Sequence, residues 1–83
     1  MPRYFFSEFF NGGRVIDDVG KECASDADAR REAVEALVPA ALKANADLAG
    51  KGAYSIHVTD ETGRVLFIAT LSVFPLDQET TNA

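Results

Sequence analysis

Asp60-Glu61-Thr62-Gly63, read together with Asn11-Gly12-Gly13, decides the fold of this chain. Each is a hairpin signal set between short runs rich in aromatic and β-branched residues, and the segment between them repeats at helical spacing. Two hairpins around one helix give the order ββαββ, an α+β fold with a four-stranded antiparallel sheet and one long helix packed on one face.

Working outward, the first strand runs from about Arg3 to Phe10 and carries Tyr4, Phe5, Phe6, Phe9 and Phe10, so both of its faces need cover. Asn11-Gly12-Gly13 supplies the positive φ a tight hairpin requires, and Arg14 to Asp18 returns as a second strand that Asp17, Asp18 and Gly20 end. Ser25 is placed to accept from the amide three residues on, with Asp28 at the capping-box position and Asp26 at the positive end of the helix dipole. The helix is expected to reach about Ala49, with Ala33, Val34, Leu37, Val38, Ala41, Ala44 and Leu48 as its apolar stripe and Gly50 and Gly52 as its stop. Pro39 lies inside it and removes a donor, which predicts one bent helix in preference to two helices meeting there.

From Ala53 the period is two: Tyr54, Ile56 and Val58 point one way, Ser55, His57 and Thr59 the other. Asp60 to Gly63 reads as a type I turn closed by a left-handed glycine, and Arg64 to about Phe74 forms a fourth strand that Pro75 ends. Residues 1–75 make a single domain on this reading, and 76–83 a polar tail. The helix returns the chain along the sheet, so the strand order is expected to be 2-1-3-4, with 2-1-4-3 as the alternative.

The opening Met1-Pro2-Arg3-Tyr4-Phe5-Phe6 resembles the start of a family of short bacterial proteins filed as a domain of unknown function. Asp17 with Gly20, Ala29-Arg30 with Glu32-Ala33, and Val58 with Asp60-Glu61 and Gly63-Arg64-Val65 extend the likeness, which covers about Met1 to Ala69. Ser7-Glu8-Phe9-Phe10 departs from it, being less polar than the family's approach to the first turn. The resemblance implies this fold and a bacterial origin, and no activity.

Composition bounds the function. The 83 residues hold 13 acidic and 8 basic side chains, a net charge of −5, and the basic residues are scattered, so nucleic-acid binding is disfavoured. One cysteine and one histidine make neither an internal disulfide nor a structural zinc site. With no leader pattern and no long apolar run, the expectation is a cytoplasmic protein away from membranes, without cofactor or metal. A chain this short buries only about 60–65% of its unfolded surface, and self-association is the reinforcement left open to it.

Candidate reagents are few. His57 is a general base or ligand only if a second group joins it; its neighbours Ser55 and Thr59 mark the polar face of a strand. Cys23 precedes the helix, where thiolates are stabilised, yet it reads more simply as a small packed side chain. Asp17, Asp18, Glu22, Asp26 and Asp28 crowd the helix entrance without calcium-loop spacing, and the glycine pairs lack a strand-to-helix phosphate context.

What a bland monomer does not absorb is the surplus of apolar side chains on a sheet that one helix covers on one side. Phe5, Phe9, Leu66, Ile68 and Phe74 are expected on the uncovered side or along the fourth strand, a patch on the order of several hundred Å². The expectation is a homodimeric binding or regulatory module without catalysis, with room for a protein partner. An enzyme with its site at a subunit interface and an antitoxin-like or nucleic-acid-linked regulator are the alternatives.

Overall fold

The chain folds as β1 (Arg3–Phe10), β2 (Gly13–Val15), β3 (Lys21–Glu22), α1 (Asp26–Lys43), β4 (Gly52–Thr59) and β5 (Val65–Val73) in a computed structural model that describes residues 1–10, 13–43 and 52–73. The class is α+β. All strand pairs are antiparallel and the sheet order is β2-β1-β4-β5, the expected order, with β3 added beside β1. The order 2-1-4-3 is thereby excluded. The turn residues Asn11 and Gly12, the helix end at Ala44, Leu48 and Gly50, the interface candidate Phe74, Pro75 and the tail 76–83 lie outside the described residues. Gly52, read as part of the helix stop, instead opens β4.

The second strand is shorter than expected, ending at Val15 where Asp18 was the expectation. Asp17 is the reason. Its carboxylate accepts from the amides of Phe6 at 2.9 Å, Val19 at 3.0 Å and Gly20 at 2.9 Å, and its own amide donates to Ser7 Oγ at 3.1 Å. Side-chain bonds replace the ladder along the middle of the β1 edge, and two residues of strand, Lys21–Glu22, resume it against Arg3 and Tyr4. Gly20 makes the passage at φ +78, with Phe5, Arg3 and the Tyr4 carbonyl so close that a Cβ would meet them at 2.8–2.9 Å.

Helix α1 starts as its cap predicts: Ser25 Oγ accepts from the Asp28 amide at 3.2 Å. The two acidic residues of the first turn look outward from that cap, Asp28 to Arg31 at 3.0 Å and Asp26 to the Tyr4 hydroxyl at 2.6 Å. The helix passes through Pro39 unbroken, so the two-helix alternative is excluded. Pro39 and Glu35 are both exposed, which leaves the carbonyl that loses its donor on the water side.

The helix buries part of the expected stripe: Ala33 and Ala41 are buried and Leu37 packs on the core, whereas Val34 and Val38 turn outward at 60% and 49% exposure and Ala29, Ala36 and Ala40 join the inner face. Alanines let the helix sit close to the sheet, and the larger side chains come from the strands: Tyr54 and Val58 are fully buried, with Tyr4 and Ile56 nearly so. Full burial of an aliphatic side chain such as Val58 stabilises by about 1.5–3 kcal/mol.

Register divides the sheet faces. On β1, Tyr4, Phe6 and Phe10 belong to the helix side, and Phe10 stacks on Tyr54 with ring centroids 5.8 Å apart. On β5, Phe67, Ala69 and Leu71 oppose Val58, Ile56 and Tyr54 and pack on the same side. A bulge between Val58 and Thr59 shifts the start of β5 by one residue. Leu66 therefore packs against the core and Val65 turns to the other face, the reverse of simple alternation.

Candidate functional site

The helix-free face is built from β1, β4 and β5. Phe5, Ser7 and Phe9 stand opposite Thr59, His57 and Ser55, and Ile68 and Thr70 continue the rows from His57 and Ser55. The His57 ring lies against Phe9, centroids 4.1 Å apart and planes tilted by 38°. Ser55 and Thr70 join through their hydroxyls at 3.1 Å. A quarter of the chain is charged, yet among the described residues no Asp, Glu, Lys or Arg stands on this face between Phe5 and Phe9 of β1, nor anywhere on it in β4 or β5.

At one end the face deepens into an open concavity of about 420 Å³, lined by Phe5, Ser7, Phe9, His57, Thr59 and Val65. Ile16 and Asp17 wall it on the β1 side, and Asp60, Glu61 and Gly63 on the turn side. Local hydrogen bonds hold both walls. Burial alone pushes the Asp17 carboxyl up, but the amides of Gly20, Phe6 and Val19 and the Arg3 charge outweigh it and hold the carboxyl below its ordinary value. Asp60 is held low chiefly by the Thr62 hydroxyl at 2.6 Å, with the Thr62 and Arg64 amides behind it, and Gly63 closes the turn at φ +87.

Ser7, His57 and Asp17 share this concavity, and the hydrogen bonds of the described residues engage Ser7 and Asp17 with each other and with backbone amides. Ser7 Oγ accepts from the Asp17 backbone, the Asp17 carboxylate is engaged by amides, and no hydrogen bond among the described residues joins His57 to either. A nucleophile needs its base, and the base its orienter, within hydrogen-bond reach. Cys23 is further off still, buried with Tyr4 and Ala29 in the core on the helix side of the sheet. The helix-entrance carboxylates are dispersed among amides, Tyr4, Arg31 and Arg3, and no group of three or more His, Cys, Asp or Glu is placed to hold a metal among the described residues.

Of the residues singled out in the sequence, the structure brings Phe5, Phe9 and Ile68 to the helix-free face, Ile68 at 57% exposure, and puts Leu66 on the core. Sequence reading missed Val65, Ile16 and the Asp17 clasp. Asp17 with Gly20 three residues on, an acidic side chain before a left-handed glycine, is the signal for it, and the same residues also serve as a strand end. On the other face, the Tyr54 hydroxyl donates to Glu8 Oε1 beneath the helix, a pairing that no local pattern announces.

Among the described residues no helix is long and apolar enough to cross a membrane. The family model described as Domain of unknown function (DUF6894) matches residues 3–72, which takes in α1 and every strand but the last residue of β5. Nothing matches among the curated proteins or among the solved structures.

Proposed function

We propose, from the premise that this chain belongs to the family Domain of unknown function (DUF6894), that it is a small homodimeric binding or regulatory module without chemistry of its own, and that its helix-free sheet face is the working surface. One observation carries the reading: a stretch of β1, β4 and β5 that bears Phe5, Phe9, His57 and Ile68 and no charged side chain, bordered by Arg14 opposite Phe9 and by Asp17, Asp60 and Glu61 around the concavity at one end. Polar side chains are inexpensive to leave in water, whereas an exposed aromatic and aliphatic surface marks a place of contact. The occupant that suits it is an apolar or aromatic segment of a protein partner, with Ser55, Thr59 and Thr70 supplying hydroxyls around it. A bacterial, cytoplasmic setting belongs to the same proposal, supported by the opening motif and by a single, unpaired cysteine.

The test is recovery of bound protein from the native cell with the wild type and with Phe9→Glu and Ile68→Glu. A species held by the wild type and lost by both variants supports the surface. Retention by both variants overturns it.

A further inference from the structure

Among the described residues β5 is an edge strand, and apart from a bulge at its start it carries none of the devices within a strand that normally blunt one. In the order β2-β1-β4-β5 it pairs with β4 on one side, and among the described residues nothing pairs with it on the other. From Val65 to Val73 it contains no Lys, Arg, Asp, Glu or Pro, and its single bulge lies at its beginning. A long, uncharged edge is a template for another strand, and natural proteins protect such edges with charges, prolines, bulges or a cover. The opposite edge shows the contrast: β1 is bordered by β2, the Asp17 clasp and β3.

The helix adds to the same edge. Lys21 binds Glu32 at 2.7 Å, and Lys43 and Ala40 stand over Glu8 and Val15, so that side of α1 faces β1 and its neighbours. Arg30, on the opposite side, lies over the Phe67 ring at 5.7 Å. Val34 and Val38 follow Arg30 at intervals of four along that side, both exposed, and lengthen the apolar strip beside β5.

We infer that β5 pairs antiparallel with β5 of a second copy of this chain, across a two-fold axis near Ala69, to make one continuous sheet with both helices on the same side. The inference rests on the dimeric part of the proposed function and assigns its seam. Two features select a second copy over another occupant, and the absence of charge along the strand lets two copies meet there without like charges facing each other. On the helix side the sequence Phe67, Ala69, Leu71 is large, small, large about its centre, so two copies set Phe67 against Leu71 with the alanines on the axis. The two helices then bring their Val34 and Val38 stripes over that junction. The helix-free faces of both copies stay open side by side, which leaves the Phe9 surface to the partner.

Light scattering over a concentration series tests this with the full chain, its Ala69→Lys variant, which sets two like charges on the axis on the side away from Phe9, and its Phe9→Glu variant. The expected result is twice the chain mass for the wild type and Phe9→Glu, and a halved mass for Ala69→Lys with unchanged circular dichroism. A monomer at all concentrations overturns the seam and leaves the Phe9 surface standing; a dimer that survives Ala69→Lys and is lost in Phe9→Glu overturns it in favour of the helix-free face. Should Ala69→Lys fail to fold, wild-type hydrogen exchange decides: amides of 65–73 that lose protection on dilution support the seam, and amides whose exchange is independent of concentration overturn it.

Discussion

The Phe6 amide donates to Asp17 Oδ2 at 2.9 Å, a side chain doing for β1 what a neighbouring strand does elsewhere in the sheet. Asp17→Ala leaves the amides of Phe6, Val19 and Gly20 without their acceptor and is expected to cost about 1–3 kcal/mol in urea unfolding, with Asp17→Asn between it and the wild type.

The same carboxylate sets a pH dependence. Its folded pKa is depressed, so its contribution is complete above the ordinary aspartate value of about 3.9 and is lost as pH falls from there through the lower folded value. Stability measured across the acid range is expected to fall less steeply in Asp17→Asn than in the wild type.

The class, the strand order and the capped start of the helix were legible because each rests on local chemistry: turn residues, a period of two, and a serine before an acidic turn. The helix face was legible in part, at Ala33, Leu37 and Ala41, since a period alone does not say whether Val34 and Val38 or Ala36 and Ala40 flank them against the sheet. Sheet side chains decided it. Tyr4, Tyr54 and Val58 are bulky enough to fill most of the core, and on the helix the residues that meet them are small apart from Leu37. Alternation likewise failed at Leu66 and Val65, where a bulge that depends on pairing with β4 resets the faces. In the candidate site Phe5, Phe9 and Ile68 were readable as apolar surplus, whereas the Asp17 clasp joins residues ten and eleven apart in sequence through the tertiary fold.

Helix orientation has a direct check. Ala33 is buried and Leu42 is 72% exposed, so Ala33→Leu is expected to overpack the helix–sheet contact at about 1–3 kcal/mol, while Leu42→Lys changes stability by no more than about 0.5 kcal/mol. Comparable losses in the two variants by chemical denaturation contradict the observed stripe.

Gly20 and Gly63 share a positive φ and differ in surroundings. A Cβ at Gly63 meets nothing within 4 Å, so Gly63→Ala carries only the backbone cost of roughly 1–2 kcal/mol, whereas at Gly20 contacts at 2.8–2.9 Å, one with the Tyr4 carbonyl, add to it. Thermal unfolding is expected to show Gly20→Ala as the more damaged variant.

The chain's two tyrosines give its alkaline behaviour a readout of its own. Asp26 accepts the Tyr4 hydroxyl and, with burial and nearby negative charge, pushes its pKa up to about 12; burial first, and then Glu8, raise that of Tyr54 as well. In the unfolded chain both ionise near 10. A phenol whose folded pKa is raised contributes stability that is whole below the unfolded value and lost as pH climbs through the folded one, because only the unfolded state gives up its proton in between. Ultraviolet difference absorbance on the native protein is therefore expected to show little tyrosinate at pH values where free tyrosine is half ionised, and then a steep rise that coincides with loss of circular dichroism. Asp26→Asn removes the charge beside Tyr4 and is expected to bring one tyrosine, and one only, back toward the ordinary value; two normal titrations in the wild type would contradict both hydroxyl pairings.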